Sequence, residues 1–114
     1  MAHLKMVFHV NENDRWPFTI RSVHNLAHSD EETSVTVVAN GEAIRSFSQL
    51  DADPVRFEKI KQLRDAGVRF VVCNIAMNER QIKPELVPDY VEIVPAGIVE
   101  IAKLQAEGYG YVKA

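Results

Sequence analysis

Only one cysteine, Cys73, stands among the 114 residues. That excludes a disulfide framework and any cysteine-only zinc site within one chain, so Cys73 acts alone or with another molecule. No apolar run approaches the roughly 20 residues of a membrane-spanning helix. The longest, such as Phe70-Val71-Val72-Cys73, have the length of a strand, and no membrane partner is expected. Charge of one sign is missing too. Lysine and arginine number 13 and aspartate and glutamate 16, a net of −3, which gives no basic patch to neutralise phosphates, so nucleic acid is not an expected partner. No Gly-Lys-Ser/Thr phosphate loop is present, and Gly108-Tyr109-Gly110 precedes a strand with no helix after it, which discards a dinucleotide fingerprint. The stretch Met1-Ala2-His3-Leu4-Lys5-Met6-Val7-Phe8 carries a charge inside its apolar part and no long hydrophobic core, so no secretory signal and a cytoplasmic location are expected. Glycine and proline, 5 each, mark no linker or low-complexity tract, and residues 1–114 read as one domain.

What is present is a succession of strand and helix signals. Leu4–Val10, Ser34–Ala39, Val68–Cys73, Tyr90–Val94 and Tyr109–Val112 are rich in β-branched and aromatic residues. Met6-Val7-Phe8, Val35-Thr36-Val37-Val38 and Phe70-Val71-Val72 are nearly continuously apolar, as strands covered on both faces of a parallel sheet are. Trp16, Ile20, Val23 and Ala27 form one helical stripe after Asn13-Asp14, with Pro17 in the first turn. Asp53-Pro54 is an N-cap and first-turn proline, Phe57, Ile60 and Leu63 follow at helical spacing, and Gly67 suits the position after the helix end. A helix from Ala96 to about Glu107 is expected to bury Ile98, Ile101, Ala102 and Gln105 on one side and to stop at Gly108. A shorter helix is expected between Ile75 and Ile82, ending before Pro84. The long connection from Asn40 to Asp53 is expected to hold a short helix around Ala43–Leu50. Strands alternating with helices predict an α/β fold: a three-layer α/β/α arrangement with a mostly parallel five-stranded sheet.

In such sheets ligands bind outside the carboxyl ends of the strands. Those ends are His9–Asp14, with Asn11 in the loop, then Ala39-Asn40-Gly41, Cys73–Asn78 beginning with Asn74, and Pro95-Ala96-Gly97. Cys73 closes a strand just before a helix start, where free N–H groups favour a thiolate, the form that attacks sulfur, and Arg80 and Lys83 are candidates to add positive charge. The alternative is that Cys73 is the last buried residue of an apolar strand. His9 ends the first strand on the same edge, as a proton acceptor or thiolate partner, or as an imidazole bonded to a neighbouring loop. His24 and His28 lie four apart, but Asn25 stands where a His-Glu-x-x-His motif has glutamate and no third ligand is at motif spacing, so no metal is expected.

The order of these elements resembles the DsrE/DsrF-like family. Val7-Phe8-His9-Val10 with Arg15-Trp16, Val35-Thr36-Val37-Val38-Ala39-Asn40-Gly41 and Gly67-Val68-Arg69-Phe70-Val71-Val72-Cys73 carry the resemblance. Val94-Pro95-Ala96-Gly97-Ile98-Val99-Glu100-Ile101, Leu104-Gln105 and Gly108-Tyr109-Gly110-Tyr111 complete it over nearly the whole chain. The resemblance implies a three-layer α/β subunit that assembles into a homo-oligomer, a trimer first and a hexamer as the alternative, with pockets near subunit boundaries. In sulfur-relay members of the family the cysteine matching Cys73 carries a persulfide, which implies a sulfur donor and an acceptor protein and requires no cofactor. Two functions follow: a sulfurtransferase-type sulfur carrier, or a non-catalytic oligomeric binding module in which Cys73 only packs.

Overall fold

Residues 3–48 and 53–114 are described by the computed structural model. The segments rich in β-branched and aromatic residues become a five-stranded sheet, all parallel, in the order β4-β3-β2-β1-β5. The strands are β1 His3–Val10, β2 Glu32–Ala39, β3 Arg69–Cys73, β4 Glu92–Val94 and β5 Gly110–Lys113. The helices are α1 Trp16–Ala27, α2 Pro54–Asp65, α3 Asn74–Glu79 and α4 Gly97–Ala106. The fold is α/β, as the strand and helix signals predict.

Local chemistry sets the start of α2 where it was expected, whereas the helix expected between Ile75 and Ile82 runs Asn74–Glu79 and ends earlier. Asp53 caps α2 by accepting the Arg56 N–H at 3.0 Å, with Pro54 in the first turn, and Phe57, Ile60 and Leu63 are buried. The stripe Trp16, Ile20 and Val23 is buried on α1. The connection after β2 is helical over Gly41–Ser48, wound as a 3-10 helix; the expected helix there ran on to Leu50, which lies outside the described residues.

The strand order explains the layers. From β1 the chain steps outward through β2 and β3 to β4, then returns across the sheet to place β5 against the other side of β1. Parallel crossovers share one hand, so helices on outward steps occupy one face and the helix of the return step the other. Accordingly α1, α2, α3 and the 3-10 helix cover one face, where Trp16, Phe47, Ile60 and Met77 pack on Phe8, Val37, Phe70 and Val72. Among the described residues α4 is the helix that covers the other, lying across β1, β2 and β3 with Ile101 and Leu104 on Val7, Val38 and Val71.

The rotation of α4 corrects the expected stripe. Gly97, Ile101 and Leu104 are buried, whereas Ile98 is 63% exposed and Ala102 and Gln105 face outward. Two contacts fix this. Gly97 sits so close to the sheet that an added Cβ would lie 3.2 Å from Val38 Cγ1. Glu100 turns inward to accept from Arg69 Nη1 at 2.8 Å, while Glu92 on β4 takes the guanidinium Nε. The hydrogen bond that Arg69 donates to Glu92, with that to Glu100 adding to it against partial burial, holds the Arg69 pKa above its ordinary value.

Candidate functional site

The alternation of side chains along the strands puts His9, Asn40 and Cys73 on the α4 side of the sheet at its carboxyl edge. Register aligns them: His9 pairs with Val38, Val10 with Ala39, and Ala39 with Val72, so Asn40 follows β2 at the level of Cys73. The start of α4 closes over this row. A Cβ on Gly97 would lie 3.2 Å from Cys73 Cβ and 3.7 Å from Asn40 Cβ, so Gly97 leaves the only space by which α4 reaches both. Ala96 is the N-cap of α4 but supplies no side-chain cap, and Pro95 before it is exposed. The first N–H groups of α4, unpartnered within the helix, therefore begin beside Cys73.

Cys73 itself is the N-cap of α3, and its Sγ accepts the Ala76 N–H at 3.5 Å. Asn74 opens that helix and is half-buried. The thiol is enclosed: Cys73 keeps 6% of its surface exposed. Although its Cβ lies near Gly97 of α4, the residue packs with the core under α1, α2 and α3, its Sγ at the start of α3. An open, accessible sulfur is not what the single chain presents. Arg80 does not serve the sulfur either; its guanidinium bonds Ala76 O at 3.2 Å and Glu42 at 3.4 Å.

His9 is held from both sides. Asn40 Oδ1 lies 2.8 Å from Nε2 and the Tyr111 hydroxyl 2.6 Å from Nδ1. A carboxamide oxygen only accepts, so Nε2 carries hydrogen and a neutral ring takes the Tyr111 hydroxyl hydrogen at Nδ1. Asn40 thus stands between the imidazole and the cysteine strand, making a polar row from Cys73 to Tyr111 across four strands. Tyr111 was missed by sequence reasoning. Its signals, the alternation Tyr109, Tyr111 in the last strand and its place in Gly108-Tyr109-Gly110-Tyr111, are silent about β5 lying beside β1.

The remaining residues shape the neighbouring loop. Gly41 has φ +55°, and a Cβ there would meet Asn11 O at 2.9 Å, so only glycine fits. Ala43 N–H donates to Asn11 O at 3.3 Å and Asn40 N–H to Val10 O at 3.1 Å, which ties the β1 and β2 ends together. The Asn11 Oδ1 atom is buried without a partner. His24 and His28 lie elsewhere, on α1, with their rings stacked at 4.2 Å. Among the described residues no group of three or more His, Cys, Asp or Glu is placed to hold a metal, and no helix is long and apolar enough to cross a membrane.

The DsrE/DsrF-like family model matches residues 5–114. A structure titled as a protein of unknown function, MTH1491 from Methanobacterium thermoautotrophicum, superposes with a TM-score of 0.84 at 24% identity, covering 97% of this chain and 99% of that one. The ychN protein of E. coli superposes with a TM-score of 0.59 at 11% identity, over 97% of this chain and 100% of the other. At those identities the two structures share the fold. No curated protein matches the chain.

Proposed function

Because the chain belongs to the DsrE/DsrF-like family, we propose that Cys73 is a sulfur carrier in a persulfide relay, working in a reducing, cytoplasmic setting. The observation that carries this reading is the setting of the sulfur: at the carboxyl edge of the sheet, accepting a backbone N–H, beneath the uncapped first turn of α4. Backbone donors favour the anionic forms of both the thiol and its persulfide.

The chemistry needs no cofactor. The Cys73 thiol gives its proton to water, and the thiolate attacks the outer sulfur of a donor persulfide, R–S–S⁻. The donor S–S bond breaks, RS⁻ departs, and Cys73–S–S⁻ remains. An acceptor thiolate then attacks that outer sulfur, and the Cys73 thiolate leaves. Sulfane sulfur moves without net oxidation or reduction. Having no second cysteine, the chain depends on separate donor and acceptor proteins. His9, Asn11, Asn40, Gly41, Asn74, Pro95, Ala96 and Gly97 are assigned to the surface that receives them. With 6% of Cys73 exposed, transfer requires the first turn of α4 or α3 to move aside.

The experiment is alkylation rate against pH, then intact mass after exposure to cysteine persulfide, with Cys73→Ser as control. The expected result is native-state alkylation near neutral pH and a gain of one sulfur atom that Cys73→Ser lacks. If alkylation waits for unfolding and the mass never changes, the second reading replaces this one: a non-catalytic binding module in which Cys73 packs, the role its burial favours.

Either reading is placed in a homo-oligomer, a trimer before a hexamer. Ile98 and Val99, 63% and 49% exposed on the outer side of α4, are large apolar residues that association would bury. Sedimentation equilibrium is expected to give a trimer mass and a lower mass for Ile98→Glu/Val99→Glu. A monomer at micromolar concentration overturns the oligomer.

A further inference from the structure

On the opposite face of the molecule from α4, a groove of about 650 Å³ runs between α1 and α2. Ile20 and Leu63, both largely buried, belong to its apolar lining with Pro17. Its charged lining is mainly cationic among the described residues: Arg21 from α1 and Arg56 and Lys59 from α2, with the carboxylate of Asp53. Arg56 is occupied, since its Nε pairs with Asp53 at 3.4 Å and its Nη1 donates to Ser46 at 3.0 Å. Arg21 and Lys59 have no ion-pair partner among the described residues, and both are exposed. His24 and His28 also line it, their rings stacked on each other with centroids 4.2 Å apart and His28 Nδ1–H turned back to His24 O at 3.0 Å. A chain of net charge −3 thus concentrates positive charge around one apolar recess.

We propose that this groove binds a small organic anion with an apolar body, an aromatic or alicyclic ring bearing a carboxylate or phosphate. The volume lies within the range of roughly 300–1,000 Å³ usual for small-molecule sites. The apolar floor takes the ring out of water, and the His24 and His28 rings offer it a stacking surface. Arg21 and Lys59, one from each helix, take the charged group from either side. The site is independent of Cys73 and of the sulfur-carrier reading.

The test uses 1-naphthyl phosphate as probe, followed by amide chemical-shift mapping on the full chain. Three comparators accompany it: 1-naphthol, inorganic phosphate and a short glutamate-rich peptide. The expected result is saturable shifts confined to α1 and α2 with 1-naphthyl phosphate, and affinities weaker by about tenfold or more for each comparator. Arg21→Gln/Lys59→Gln is expected to weaken the probe by about tenfold or more, while Arg21→Lys/Lys59→Arg and the distant Lys103→Gln keep binding. Circular dichroism confirms that each variant folds, and their exposed positions favour that. The proposal is overturned if the shifts are absent or map elsewhere, or if the double glutamine variant binds as well as the native chain. Equal binding of 1-naphthol removes the anion from the proposal, equal binding of phosphate removes the apolar floor, and tighter binding of the peptide assigns the groove to an acidic protein segment; each of these also overturns it.

Discussion

Trp16→Ala is expected to cost about 3–5 kcal/mol of unfolding free energy, a large part of the 5–15 kcal/mol typical of a domain. Trp16 is fully buried at the start of α1, meets the Phe47 ring edge-on at 5.6 Å, and donates from Nε1 to Ala43 O at 2.9 Å. Truncation removes the packing and also leaves a buried carbonyl without its donor. Trp16→Phe separates the two effects, because it retains most of the ring volume and loses the hydrogen bond, a cost of about 1–3 kcal/mol. Urea titration measures both, with an unchanged slope expected. The site feels the change as well. Ala43 N–H bonds Asn11 O and Asn40 O, so the 3-10 helix is held by Trp16 on one side and by the β1 and β2 loops on the other. Faster hydrogen exchange at Ala43 is expected in Trp16→Ala. A stability loss under 1 kcal/mol would show that Trp16 does not hold this corner.

Gly97→Val is expected to destabilise by about 1–3 kcal/mol, with Gly97→Ala at the lower end. The added Cβ would lie 3.2 Å from both Cys73 Cβ and Val38 Cγ1, atoms rooted in β3 and β2, so these side chains or the first turn of α4 must give by a few tenths of an ångström, and the two methyls of valine add to the crowding. A double-mutant cycle assigns the cause. Val38→Ala alone destabilises by opening a cavity, but in Gly97→Ala it makes the room that the new methyl lacks, and the two effects are expected to be less than additive. Full additivity would mean that α4 accommodates the methyl without touching Val38.

The elements and the site were legible in the sequence to different degrees. Nearly continuous apolar runs marked the three central strands β1, β2 and β3, because strands covered on both faces are mostly apolar, and Asp53-Pro54 marked the start of α2 because an N-cap is a local device. Asn40, Gly97, Cys73 and His9 were found together as strand ends. Their separate roles were not legible: Asn40 as the residue that holds the His9 ring, Gly97 as a helix residue whose missing Cβ lets α4 lie against Cys73 and Val38. On α4 the hydrophobic pattern misled, because Ile98 is apolar while the inward positions are Gly97 and Glu100, residue types that periodicity does not count as buried.

The sequence by itself determined which segments are strands and helices, where most of them begin and end, and which residues stand at the carboxyl edge, since each depends on periodicity and capping within a few turns of chain. Only the tertiary structure decided the strand order, the face of each helix and the enclosure of Cys73. With β5 beside β1, Tyr111 meets His9 across 102 positions of sequence, and the return crossover lays α4 over the second face. Such pairings depend on which strands share an edge and on the common hand of the crossovers, relations between distant segments that no local pattern of residues encodes.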